Sequence, residues 1–133
     1  MSFPRTESRA KTRDVEVQVK SQYIEEQSQP LSRRFVFAYT ITITNHGSDV
    51  VQLNSRHWII TDAQGQVEEV RGPGVVGEQP VLRQGESFRY TSGAVLKTER
   101  GTMKGTYQMQ LHDGGVFDAE IATFLLERPY SLN

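Results

Sequence analysis

Cysteine is absent from this 133-residue chain, and its absence excludes disulfide bonds, thiolate metal sites and cysteine nucleophiles. A chain without cysteine suits a reducing compartment, so we expect a cytoplasmic protein. The sequence also lacks an apolar run long enough to cross a bilayer, and its basic N-terminal segment lacks the apolar stretch of a secretory signal. We therefore predict no membrane partner.

An excess of either charge is missing too, because 15 Lys and Arg are balanced by 16 Asp and Glu. A surface that neutralises phosphates needs clustered basic residues, so we predict no nucleic-acid partner. The first dozen residues are polar, show no period and include several basic side chains. We predict a flexible basic tail over residues 1–12 and a single domain over residues 13–133.

Helical periodicity is the third absence, since no long stretch repeats apolar side chains every 3.6 positions. Apolar residues alternate with polar ones instead, as in residues 15–19 and 35–43, which is typical of half-buried strands. About seven such strands separated by turns predict an all-β fold, an antiparallel sandwich of two sheets. In the last strand the apolar parity changes between Ile121 and Phe124, which predicts a β-bulge at Ala122 and Thr123.

The single tryptophan, Trp58, lies on one of these strands and directly follows Arg56 and His57. Tryptophan commonly anchors a sandwich core. Arg56 and His57 can either bond loop carbonyls, which is the interpretation we favour, or contact a ligand, in which case the planar guanidinium of Arg56 is the natural donor to an anion. The residues that we predict to be buried around Trp58 are Tyr39, Phe88 and Tyr107.

Gly72, Gly74 and Gly77 spell the G-x-G-x-x-G pattern of dinucleotide-binding folds. That pattern requires a helix after the glycines, whereas here Glu78 is followed within two residues by Pro80 and no apolar helical face comes next. The dinucleotide interpretation is therefore excluded. Two others stay open: the glycines serve turns and close packing, or their N–H groups form a nest for a phosphate-bearing ligand.

Metal and catalytic signatures are weak. The three histidines, His46, His57 and His112, show no metal-ligand spacing, although His46 and His112 both follow strands that end on the same side of an alternating sheet. Ser55 and His57 share a strand face, but no acid is placed to orient the histidine and no G-x-S-x-G elbow is present. We predict no metal site, no cofactor and no enzymatic activity.

Three segments together resemble the bacterial ApaG family: ITITNHGSDVVQLNSRHWIITDAQG, VRGPGVVGEQPVLRQGESFRYTSGAVL and GTMKGTYQMQ. The resemblance extends from about residue 13 to the last residue. It implies a fibronectin type III-like sandwich of seven strands in two sheets. It also implies a link to cobalt resistance and magnesium efflux, and a gene that lies beside those for a diadenosine tetraphosphate hydrolase and an rRNA dimethyladenosine transferase. Related domains in some eukaryotic F-box proteins resemble interaction modules.

Two hypotheses for function follow. The first is a non-enzymatic module that binds a protein partner, not yet identified, through a sheet face or a loop end. The alternative is a sensor that binds a nucleotide polyphosphate, pyrophosphate or a divalent cation through the glycine-rich loop. The candidate binding residues are Arg56, His57, Gly72, Gly74, Gly77 and Glu78.

Overall fold

The computed structural model describes residues 4–129, which form nine strands and two short 3₁₀ helices. The strands are β1 (Glu7–Thr12), β2 (Val15–Tyr23), β3 (Phe35–Asn45), β4 (Val51–Asp62), β5 (Val67–Pro73), β6 (Val81–Leu82), β7 (Ser87–Leu96), β8 (Arg100–Leu111) and β9 (Val116–Glu127). The 3₁₀ helices, Glu25–Gln27 and Pro30–Ser32, both lie between β2 and β3.

The strands form two antiparallel sheets that enclose one apolar core. The first sheet has the order β1-β2-β3-β7, and the second has the order β5-β4-β8-β9 with β6 paired to the start of β4. The predicted all-β sandwich is confirmed. The count of seven strands is too low, because β1 and the two-residue β6 carry no alternating apolar pattern.

The prediction of a flexible tail is wrong for Glu7–Thr12, which pairs along its whole length with β2. Ala10 is the only apolar residue of β1, so periodicity could not reveal this strand. Cross-strand charge pairs hold it instead, including Arg9 with the buried carboxylate of Glu16. A hydrogen bond with His46, helped by the charge of Arg9, holds the pKa of Glu16 below its ordinary value although burial acts in the opposite direction.

Strand β1 also closes one side of the sandwich against β9. The Leu125 N–H donates to the Arg5 carbonyl at 2.7 Å, and the Ser8 hydroxyl donates to the Ala122 carbonyl at 2.8 Å. On the opposite side the terminal strands of the two sheets are β7 and β5, which are not paired with each other. The sandwich is therefore closed along β1 and β9 and open along β5 and β7.

The core is centred on Trp58, which is 3% exposed. Its ring lies 5.4 Å from Tyr39, 6.0 Å from Phe124 and 6.4 Å from Tyr107, measured between ring centroids. The prediction for Trp58, Tyr39 and Tyr107 is confirmed. Phe88 has the predicted inward parity and packs against the core, but it is only partly buried because β7 begins one residue earlier.

Two β-bulges shift the pairing register within the second sheet. Met103 pairs with Phe124 and Gly105 with Ile121, so Ala122 and Thr123 together face a single residue, as predicted. A second bulge, at position 54 of β4, was not predicted from the sequence. It shifts the alternation of β4 by one residue, so that Leu53, Arg56 and Trp58 all have the parity that faces the other sheet. Arg56 and Trp58 lie two positions apart after the bulge, so they share the interior face, and the bulge aligns that face with Leu53.

Candidate functional site

The open side of the sandwich contains a cavity of about 400 Å³ between β5 and β7. Tyr39, Trp58 and Met103 form its apolar floor, and Arg56 and Glu68 are among the residues that line it. We refer to this cavity as the β5–β7 groove. Terminal strands with unpaired backbone groups flank it on both sides, so it offers hydrogen-bonding edges as well as an aromatic floor.

Arg56 is half-buried at one end of the groove, where its Nη1 donates to two carbonyl oxygens, those of Pro73 at 3.0 Å and Gly74 at 2.9 Å. The interpretation that Arg56 bonds loop carbonyls is thus confirmed. Within residues 4–129 no carboxylate forms an ion pair with Arg56. The guanidinium is held in place by neutral acceptors, which leaves its charge available to an anionic group.

Three tyrosines lie near this charge. Burial raises the pKa of Tyr39, Tyr90 and Tyr107, and the positive charge of Arg56 acts against burial in each case. The hydroxyls of Tyr90 and Tyr107 are 2.5 Å apart, so each satisfies the other in the core. All three phenols stay neutral at physiological pH, and they supply polar but uncharged surroundings for Arg56.

His57 does not belong to this groove, and the interpretation that it bonds loop carbonyls is wrong, because its ring bonds a carboxylate instead. Its side chain lies on the outer face of the second sheet, where Nε2 is 2.8 Å from Oε1 of Glu69 on β5. Alternation along β4 therefore separates His57 from Arg56, and the two adjacent candidates point to opposite sides of the sheet.

The glycines of the G-x-G-x-x-G pattern each have a structural reason. A Cβ on Gly72 would lie 2.9 Å from Nη2 of Arg56, and a Cβ on Gly74 would lie 2.2 Å from the Glu78 carbonyl oxygen. Gly77 has φ +83° and Val76 has φ 42°, as the central residues of a type I′ turn must. Gly72 and Gly74 thereby let Arg56 and the loop approach each other closely.

Several N–H groups of the glycine-rich loop already donate to carbonyl oxygens of this chain. Val75 and Glu78 exchange backbone hydrogen bonds of 2.8 and 2.9 Å, and the Gly74 N–H donates to the Asn54 carbonyl at 2.8 Å. The Glu78 side chain is exposed, and within residues 4–129 no α-helix follows the loop. A phosphate would have to displace these internal bonds, so the structure favours turns and close packing as the role of the glycines.

We expect millimolar ATP, diadenosine tetraphosphate and pyrophosphate to leave the melting temperature unchanged to within about 1 °C, because the N–H groups of Gly74, Val75 and Glu78 are already bonded. A ligand at one hundred times its Kd would add about 2.7 kcal/mol, which is several degrees for a domain of this size. Differential scanning fluorimetry, repeated with Mg²⁺ and Co²⁺, checks this. A rise of several degrees with any of these compounds would contradict it and favour the sensor hypothesis.

The two remaining histidines lie at the same end of the sandwich, as expected, each directly after the last residue of its strand. The backbone N–H of His46 donates to the Asp14 carbonyl at 2.8 Å, and that of His112 donates to the Val50 carbonyl at 3.0 Å. In the described part of the chain, no group of three or more His, Asp or Glu side chains is arranged to hold a metal ion. Over the same residues, no helix is long and apolar enough to cross a membrane.

Sequence reasoning missed the walls of the groove. Glu68 on β5 and Ser92 and Ala94 on β7 line it, and none of them was a candidate. A usable signal was present for Glu68, which shares its strand parity with Val70 and Gly72 and is therefore a charge on the interior side of a strand.

Two antiparallel sheets with this core define a small β-sandwich of the immunoglobulin and fibronectin type III kind. The family model for the ApaG domain (DUF525) matches residues 25–111. Protein ApaG of Paramagnetospirillum magneticum is 56% identical over 119 residues, 90% of this chain and 92% of that protein. Protein ApaG of Dechloromonas aromatica is 59% identical over 119 residues, which cover 90% and 94% of the two chains. The chain therefore belongs to the ApaG family.

A crystal structure of a Bordetella pertussis protein agrees with the fold. It is 52% identical in sequence, superposes with a TM-score of 0.86, and the match covers 91% of this chain and 98% of that one. A second X-ray structure is 48% identical, with a TM-score of 0.84 and 90% coverage of both chains.

Proposed function

We propose that this protein is a non-enzymatic interaction module, acting in the cytoplasm, that binds a protein partner in the β5–β7 groove. The observation that carries the proposal is the combination of two unpaired strand edges, an aromatic floor and a half-buried arginine, Arg56, that has no carboxylate partner within residues 4–129. Extended peptides add to free sheet edges, and arginine is among the residues most enriched at the centres of protein interfaces.

Exposed apolar side chains support this location. Val67 on β5 is 60% exposed and Val95 on β7 is 52% exposed, and both line the extension of the groove beyond Glu68. Edge strands usually carry features that discourage pairing, so apolar groups at two facing edges favour a surface that a partner covers. The family's link to cobalt resistance and magnesium efflux would then act through the partner bound here.

Site-directed cross-linking tests the proposal, because a cysteine-free chain accepts a unique label at any chosen position. Val95→Cys places a benzophenone maleimide at the groove. Val116→Cys, at a valine that is 73% exposed on β9, is the matched control far from it. We expect a discrete protein adduct from cell extract with the label at position 95 and none at position 116.

Two results would count against a docking role for the groove. One is the same set of adducts from both positions, which indicates unspecific capture. The other is no adduct at position 95 while the labelled protein keeps its wild-type melting temperature, which removes misfolding as the cause.

A further inference from the structure

Two opposite charges mark the two ends of the β5–β7 groove. Arg56 pairs in register with Gly72, and Ile60 pairs with Glu68, so the two charged residues are separated by four positions along the strands. At about 3.3 Å per residue this separation is about 13 Å. In the described part of the chain, neither Arg56 nor Glu68 has an ion-pair partner. The groove is therefore positive at one end and negative at the other.

Between the two charges the groove is apolar. Trp58 and Val70 pair directly with each other at the midpoint, and Ala94 faces them from β7. In an extended chain, side chains two positions apart point to the same side, so a strand lying here would present three side chains to the groove from five consecutive residues. Its central side chain would contact the apolar midpoint, and the outer two would meet Arg56 and Glu68.

The direction of β7 sets the direction of such a strand. Arg56 and Ser92 line the groove but not its extension past Glu68, which is lined by Val95 of β7 and by Lys97 just after β7. β7 thus runs from the Arg56 end to the Glu68 end. Antiparallel pairing is slightly more stable per residue than parallel pairing, and every strand pair in this fold is antiparallel. A strand added to β7 would therefore run from the Glu68 end to the Arg56 end.

We propose that the groove accepts an extended protein segment that adds antiparallel to β7 and carries a basic residue at position i, an apolar residue at i+2 and an acidic residue at i+4. The basic side chain meets Glu68, the apolar one meets Trp58 and Val70, and the acidic one meets Arg56. This inference rests on the proposed function and specifies the chemistry of the partner.

Glu68 also explains how the free edge of β5 avoids pairing with unrelated strands. A charge on the interior side of an edge strand penalises any apolar strand that would cover it. The same charge is neutralised by a segment with a base at the matching position, so it selects among partners as well as excluding most of them. Beyond Glu68 the groove is lined by charges of both signs, those of Asp62, Arg33 and Lys97. Glu68 and Arg56 are therefore the charges that determine in which direction a segment binds.

Two synthetic nine-residue peptides of identical composition test the order of charges. One contains Lys-Thr-Val-Thr-Glu at its centre and the other contains Glu-Thr-Val-Thr-Lys. We expect the first to bind more tightly, by about twofold to about 25-fold, since each of the two ion pairs changes affinity by up to about fivefold. Titration of ¹⁵N-labelled protein gives both affinities, and the amide signals of residues 92–96 of β7 should shift most.

Charge reversal at one position provides the matched variants. Glu68→Lys should lose the preference for the first peptide and bind a peptide with Glu-Thr-Val-Thr-Glu best. Glu69→Lys makes the same charge change on the outer face of the same strand and should keep the wild-type preference. Arg56 is left intact because it also holds the carbonyls of Pro73 and Gly74.

Equal affinities for the two charge orders, or shifts absent from β7 with every peptide, would overturn the proposed segment. So would a Glu69→Lys variant that loses the preference as fully as Glu68→Lys. The cross-linking experiment at position 95 tests separately whether the groove binds any partner. If the peptides fail but the cross-linking succeeds, the groove binds a partner of different chemistry. If both fail, the proposed function is wrong as well.

Discussion

Trp58→Ala should lower the free energy of unfolding by about 3–5 kcal/mol, because it removes a buried indole from the centre of the core and leaves a cavity. The ring contacts Tyr39, Tyr107 and Phe124, which belong to both sheets, so the loss weakens the contact between the sheets themselves. Small domains are stable by about 5–15 kcal/mol in total. The variant is therefore expected to lose a large fraction of its stability.

Urea unfolding followed by circular dichroism measures this loss, and Trp58→Phe serves as the control that keeps an aromatic ring in the same place. We expect the phenylalanine variant to lose clearly less than the alanine variant, since it leaves the smaller cavity. A loss below about 1 kcal/mol for Trp58→Ala would mean that the indole is not packed as described. The floor of the β5–β7 groove would then be wrongly assigned as well.

Sequence patterns predicted the features of this fold that depend on alternation within a strand. The two-residue period identified most strands, and the parity change between Ile121 and Phe124 located the bulge in β9. The position of Trp58 in the core follows from the same rule, since an alternating strand in a sandwich buries one of its two faces. In these cases the local pattern and the tertiary environment agree.

Features that depend on pairing between distant segments were missed. β1 is ordered by charge pairs with β2 and by hydrogen bonds to β9, and a mainly polar sequence such as Glu7–Thr12 gives no sign of either. The bulge at position 54 of β4 was missed because Val51 and Leu53, before it, and Trp58, after it, belong to separate apolar patterns that allow more than one register.

The candidate site was predicted in part and missed in part. Arg56 was identified as a candidate, and alternation along β4 correctly predicts that it shares the interior face with Trp58 while its neighbour His57 lies on the other side of the sheet. The groove itself exists because β5 and β7 end their sheets without pairing, which is a property of the strand order. Strand order is set by contacts between distant residues, so composition and spacing alone could not show which edges would face each other.

Gly105→Ala should be strongly destabilising, with an expected loss of about 3 kcal/mol in the free energy of unfolding. A Cβ at this position of β8 would lie 2.1 Å from the His57 carbonyl oxygen and 3.2 Å from the Trp58 Cα, both of them backbone atoms of β4. β4 is bonded to β5 on one side and to β8 on the other, so it cannot retreat without breaking a ladder. The strain would be transmitted directly to Trp58, which pairs with Gly105.

Gly93→Ala on β7 is the matched control, because its added Cβ would meet only the Phe37 carbonyl oxygen, at 3.3 Å, on an exposed edge. We expect it to cost less than about 1 kcal/mol, since the free edge of β7 can shift by a few tenths of an ångström. Urea unfolding of the two variants side by side gives the comparison, with an unchanged slope confirming that each still unfolds from a compact native state. Equal losses for Gly105→Ala and Gly93→Ala would contradict the close approach of β8 to β4, and with it the pairing that places Trp58 beneath the groove.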